Sequence, residues 1–273
     1  MTAIGGALTQ FFTLILRPFE NGHAFAGIIF ISVVTGAVML VLFKFTSNQR
    51  AMKEVKTKIG AYFLEMRLYK DDVSTVMASQ RRILWANLIY TKLALLPAVV
   101  MMVPVILIMV QLNLRYAHTG LRPGDTALVK VTTAEGVDVV GQHLSLDPGD
   151  GIDKASPAVR IPSLGEVSWK IRLADSGVHT MRLTSDAGEV TLPVFGTKRL
   201  LPAFASFKPG SFWESLLNPG APAIPASMRI KSIEIQYPEM AFNFGLFHLS
   251  WLWTFLVVSM AFGLVLKLIF KVE

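Results

Sequence analysis

The polar side chains best placed to do chemistry in this sequence stand at the edge of an apolar run. Asn87, Thr91 and Lys92 lead into a stretch, Leu93 to Val110, that carries no charge. A lysine inside an apolar helix is costly unless its amine snorkels to the interface or meets polar groups and water. The alternatives are an interface anchor or a polar groove that Lys92 shares with Asn87 and Thr91. Just upstream, the segment from Lys44 to Arg82 sets nine basic residues, among them Lys53, Lys56, Lys58, Arg67, Arg81 and Arg82, against four acidic ones. Such a basic face can meet lipid headgroups, ribosomal RNA or only water.

Other candidate residues are less pointed. Asp147, Asp150 and Asp153 could gather around a hard cation, but their spacing does not match an EF-hand loop, and Asp beside Pro-Gly is also ordinary turn chemistry. His23, His118, His143, His179 and His248 are scattered singly, and His248 reads as an interfacial residue rather than a proton relay. There is no Gly-rich phosphate loop, no His-Glu-x-x-His helix and no Gly-x-Ser-x-Gly elbow. The absence of cysteine excludes disulfides and thiolate metal sites. No enzymatic activity, cofactor or metal is expected.

These residues make sense in a membrane. With 273 residues, 52% hydrophobic and only 16% charged, the chain is too apolar for one soluble domain and too charged for a bare bundle, so both a membrane part and a soluble part are expected. The net charge of +7 could suggest nucleic acid, but a third of the basic residues lie between Lys44 and Arg82, beside the apolar runs. That placement favours a membrane face over specific nucleic-acid binding.

Residues 1–22 set Leu8, Phe11, Phe12, Ile15, Leu16 and Phe19 at helical spacing, which predicts an amphipathic interfacial helix; packing of that face on a partner is the alternative. Residues 23–45 form a first span, in which Ser32 and Gly36 make a small-residue pair that could admit a neighbouring helix. Ala24-Phe25-Ala26 mimics a signal-peptidase site, yet no basic region precedes it, so a retained N-terminus is expected. Residues 46–84 read as a basic helical hairpin with Asp71 and Asp72 at its turn, and residues 85–115 as a second span kinked at Pro97 and Pro104. Residues 244–273 supply a third span, Phe247 to Leu266, closed by Lys267 and Lys271. Positive residues stay on the cytoplasmic side, so the hairpin and C-terminus should lie inside and the N-terminus outside, in a bacterial or archaeal plasma membrane.

Between the second and third spans the pattern changes period. Ala127 to Thr132, Val137 to Leu146, Glu166 to Ala174, Val178 to Thr184 and Glu189 to Phe195 carry alternating or β-branched residues between turn residues. Residues 116–199 should therefore form an extracytoplasmic antiparallel β-sandwich. Leu173 to His179 resembles the corner before an immunoglobulin F strand, with His179 where a tyrosine usually stands. Residues 200–243 form a connector rich in proline and aromatics, including Phe204, Phe207, Phe212 and Trp213, which could rest on the outer interface or pack beneath the sandwich. Met228 to Tyr237 alternates like a last strand. The expected fold is thus an α-helical integral membrane protein of three transmembrane helices and a cytosolic helical hairpin, with an inserted β-domain.

This order of elements resembles the YidC/Oxa/Alb superfamily of membrane-protein insertases. It is most similar to the short three-span branch, which includes archaeal YidC-like proteins and the Oxa-like subunit of the endoplasmic-reticulum membrane complex. The shared features are an N-out first span, a charged hairpin (Asn48 to Leu84), a second span with polar residues near its cytosolic end (Asn87, Thr91, Lys92) and Pro97 beyond, and a third span ending inside. Leu8 to Phe19 looks like the interfacial helix that often precedes the first family span. The resemblance covers about residues 1–115 and 244–273 and leaves the β-domain outside. In five-span bacterial members a groove arginine stands on the first conserved span; Ala24 to Phe43 has no charge, so the resemblance implies that Lys92 takes that place. It also implies a cytosol-facing groove and client membrane proteins as partners, while a ribosome contact stays one of the alternatives for the basic hairpin. Two further readings stay open: a scaffold subunit of a membrane complex docking partners through its β-domain, and a lipid-handling or sensor protein using the aromatic connector.

Overall fold

The computed structural model describes residues 3–197, 199–244 and 247–270. Lys271, expected to close the third span, lies outside the described residues, as do the side chains of Phe212 and Trp213. The helices are α1 (Ala3–Leu16), α2 (Ala24–Thr46), α3 (Gln49–Leu68), α4 (Val73–Tyr116), α5 (Phe212–Leu217) and α6 (Trp251–Phe270), with a 3-10 turn at Arg17–Phe19. The strands are β1 (Thr126–Thr133), β2 (Ser145–Asp147), β3 (Ile152–Lys154), β4 (Val159–Ile161), β5 (Glu166–Leu173), β6 (Gly177–Ser185), β7 (Gly188–Gly196), β8 (Ser206–Phe207), β9 (Ile230–Ile235), β10 (Ala241–Phe244) and β11 (Phe247–Ser250). The chain divides into two compact units: residues 28–108 with 253–273, whose described elements are helices, and residues 1–27 with 109–252, which carry the strands found among the described residues.

In the helical unit, α2, α4 and α6 are long and apolar enough to cross a membrane, which suggests a membrane-embedded protein. Leu95, Leu96, Val99, Met102 and Val103 of α4 point outward and are more than half exposed, an arrangement that water would penalise and hydrocarbon would not. Helix α3 starts where Asn48 accepts the Ala51 N–H at 3.1 Å. Helix α4 starts where Asp72 accepts the Ser74 N–H at 3.0 Å and the Thr75 hydroxyl at 2.6 Å, hydrogen bonds that hold its carboxyl below the usual carboxylate range. The second arm of the hairpin and the second apolar stretch are one helix of 44 residues, about 66 Å long. No boundary falls at residue 84, since no glycine or proline interrupts Val73 to Leu96, and the helix continues through Pro97 and Pro104. Helices α2 and α6 meet closely at Gly36, where a Cβ would lie 2.8 Å from the Ser259 carbonyl oxygen. Ser32, one turn earlier, is fully buried and turns its hydroxyl back to the Ile28 carbonyl at 2.6 Å.

In the second unit, β1 is flanked by β5 and β9; β3 and β4 extend the sheet beyond β5, and β8 beyond β9. A three-stranded sheet, β2-β6-β7, stands apart from it in pairing. All named strand pairings are antiparallel. One hydrophobic cluster draws on both sheets: Val129, Val131 and Ile171 from the larger, Leu183, Leu192 and Val194 from the smaller, all fully buried. The two ends of this sheet region are zipped together, with the Thr119 N–H donating to the Pro238 carbonyl at 2.9 Å and the Met240 N–H to the Ala117 carbonyl at 3.1 Å.

Two expected elements differ. Most of Val137 to Leu146 is turn and irregular loop rather than strand, and only Ser145–Asp147 pairs. Asp138 holds that turn, its carboxylate accepting the Val140 N–H at 2.9 Å and its carbonyl the Gln142 N–H at 3.1 Å. The third apolar helix starts at Trp251, not Phe247, because Phe247 to Ser250 pairs with Ala241 to Phe244 as a hairpin.

Candidate functional site

The helical unit holds two cavities that adjoin along α4. The first, about 670 Å³, is lined by Lys92, Leu93, Leu96 and Val99 of α4 and by Thr46 and Asn48 from the end of α2 and the turn after it. Positions 89, 92, 93, 96 and 99 recur every three or four residues, so one face of α4 supplies the lysine and the apolar wall together. Asn87 and Thr91 are exposed and take no part in that lining. The Asn87 side-chain amide donates to the Ile83 carbonyl at 3.0 Å, within its own helix. The polar residues that line the cavity with Lys92 are thus Thr46 and Asn48, from the end of α2 and the turn that follows it.

The second cavity, about 510 Å³, is lined by Lys58 and Tyr62 of α3 and by Arg81, Arg82, Trp85 and Ile89 of α4. Ile89 borders both cavities. The hairpin is closed by Glu65, which accepts the buried Ser79 hydroxyl at 2.8 Å and pairs with Arg82 at 3.4 Å. The Arg82 guanidinium also sits 5.9 Å from the Tyr62 ring centroid. Of the basic hairpin residues named above, Lys58, Arg81 and Arg82 therefore share one cleft, while Lys53, Lys56 and Arg67 are exposed outside it.

Sequence reasoning missed the strongest polar cluster. Arg115, only 2% exposed, donates to the Gln111 carbonyl at 3.1 Å and its side-chain oxygen at 2.8 Å, to the Thr9 carbonyl at 3.1 Å and to the Thr13 hydroxyl at 2.9 Å. The Gln111 amide donates in turn to the Thr9 hydroxyl at 3.1 Å. Thr9 and Thr13 thus face a buried guanidinium rather than the polar side of an interfacial helix, and the apolar anchors beside them are Phe12 and Leu16. The available signal was a matched spacing of four, Thr9/Thr13 against Gln111/Arg115.

In the sheet region, His179 joins two loops, with Nδ1 3.0 Å from the Asp150 carbonyl and Nε2 2.9 Å from the Asp175 carbonyl. The bond to a carbonyl four residues upstream is the kind a corner tyrosine would make. Asp147 accepts the Gly149 N–H at 3.4 Å, as a turn aspartate does. Among the described residues no group of three or more His, Cys, Asp or Glu could hold a metal ion. His118, partly buried at the start of the sheet region, has its pKa lowered by desolvation, with the Glu239 carboxylate opposing the shift.

No protein-family model, curated protein or solved structure matches this chain.

Proposed function

We propose that this chain is an insertase-like membrane protein of the YidC/Oxa type, embedded by α2, α4 and α6, with the α3–α4 hairpin in the cytoplasm and a β-sandwich outside. The observation that carries this reading is the lysine-bearing cavity on α4, adjoining a basic cleft in the hairpin. A client's apolar segment would lie against Leu93, Leu96 and Val99, and an acidic residue of its tail would be drawn to Lys92. The Lys58, Arg81 and Arg82 cleft would hold the client before that step. Each unsatisfied polar group costs several kcal/mol in hydrocarbon, so a partly polar path along α4 lowers the barrier to passing a tail across. The bilayer and client membrane proteins are the partners, and the exposed Lys53, Lys56 and Arg67 leave room for a ribosome contact.

The test places a photo-crosslinking residue at position 92 of the full chain in cells. Newly made membrane proteins should be recovered as adducts, and Lys92→Glu should deplete clients with acidic tails. Recovery of no newly made membrane protein overturns the reading.

A second reading, a scaffold subunit docking partners through the β-domain, draws on one observation: Val159, Ile161 and Leu164 expose apolar side chains around the outer strand β4. Purification in mild detergent separates the two. A stoichiometric partner lost on Val159→Lys with Ile161→Lys favours the scaffold, and transient adducts at position 92 favour the insertase.

A further inference from the structure

A third cavity, about 330 Å³, lies wholly within the sheet-bearing unit and is lined by Arg115, Arg122 and Arg199 with His118, Thr119 and Thr197. Among the described residues no aspartate or glutamate borders it. Phe242 and Met240 supply an apolar side, and Ala24, the first residue of α2, closes it at the end of that apolar helix. Arg115 is the last residue but one of α4.

The charge balance is one-sided. All four hydrogen bonds of the buried Arg115 go to neutral oxygens, which orient the guanidinium without cancelling its charge. The carboxylate whose field reaches it, Glu20, is not part of the lining. The side chains of Arg122 and Arg199 are exposed and make no ion pair among the described residues, while their backbones are held in turns: the Arg122 N–H donates to the Asp125 carboxylate and the Arg199 N–H to the Thr197 hydroxyl. Three arginines, two threonines and an apolar side line one small cavity, and that much positive charge suits a phosphate better than a carboxylate or a neutral solute, because a phosphate carries more charge and more acceptor oxygens.

We propose that the Arg115, Arg122 and Arg199 cavity binds a phosphate group, carried by an anionic phospholipid headgroup or free as inorganic phosphate. Arg115 is the preset member, fixed by Thr9, Thr13 and Gln111; Arg122 and Arg199 close on the anion from the exposed side. The apolar side next to α2 leaves a path for acyl chains. This site is independent of the insertase reading, since none of its residues touches the Lys92 cavity.

The test uses the full chain in phosphatidylcholine nanodiscs, titrated by calorimetry with dihexanoyl-phosphatidylglycerol, dihexanoyl-phosphatidylcholine and sodium phosphate. The expected result is saturable binding of an anionic probe that high salt weakens, with no binding of phosphatidylcholine. Arg122→Ala with Arg199→Ala should weaken it about tenfold or more, and the paired lysine variants should recover most of the loss. These positions are exposed, so the variant should unfold at the wild-type temperature, confirming an intact fold. Tighter binding of phosphatidylglycerol than of inorganic phosphate identifies the headgroup as the source; equal binding identifies the free anion. Absence of saturable binding by either anion, or equal affinity in the paired alanine variant, overturns the proposal.

Discussion

At the scale of single residues, the sheet region is held by polar groups whose removal leaves a buried partner unmatched. The Tyr237 hydroxyl accepts the Phe195 N–H at 3.1 Å, and burial pushes the phenol up to about 12. Tyr237→Phe keeps the ring but leaves that N–H unpaired, so unfolding of the sheet region by denaturant should show a loss of about 1–3 kcal/mol. His118 responds to pH instead. Burial sets its folded pKa below the ordinary 6.5, so the unfolded chain takes up the proton first. The stability it contributes is complete above 6.5 and is lost as pH falls toward the lowered folded value. Thermal unfolding measured between about pH 7.5 and about pH 5 should therefore show a falling midpoint, and His118→Asn should flatten part of that slope. An unchanged slope in the variant would assign the acid sensitivity elsewhere.

At the scale of elements, close backbone approach decides what can change. A side chain at Gly36 would run into the Ser259 carbonyl, which is backbone and cannot swing aside. Gly36→Leu should cost about 1–3 kcal/mol in detergent unfolding, whereas Gly60→Ala on α3, with open space around it, should be neutral or stabilising. The elements also show what a linear reading can reach. The long apolar helices and the antiparallel strands were legible because burial leaves a period in the residues, and Asp72 was legible as a cap because capping is local. The unbroken α4 was not, since polarity changes near residue 84 while nothing there breaks a helix. Phe247 to Ser250 reads as helix in the sequence because a short apolar run has no period of its own until its partner strand is known. Lys92 is legible as a costly residue, but the sequence offers Asn87 and Thr91 as its polar company rather than Thr46 and Asn48, and it does not show the cage around Arg115, because these partners are far away in the chain.

At the scale of the whole molecule, orientation is the property on which the proposed function depends, and this chain offers a clean way to measure it. It contains no cysteine, so single cysteines can be introduced and labelled without background. In intact cells a membrane-impermeant maleimide should label a cysteine at Val178, on the exposed face of β6, and spare one at Lys56 on α3. The reverse pattern would invert the proposed topology and remove the groove from the side where clients are made. The zipped pair of segments at Ala117–Thr119 and Pro238–Met240 has a consequence of a different kind. Because the polypeptide leaves and returns at nearly one spot, the intervening stretch is a cassette: replacing residues 119–238 with a short Gly-Ser turn should leave the remaining helices able to form and be extracted as a folded protein. A lineage could gain, lose or exchange such an ornament in one genetic step without re-engineering the rods that carry it.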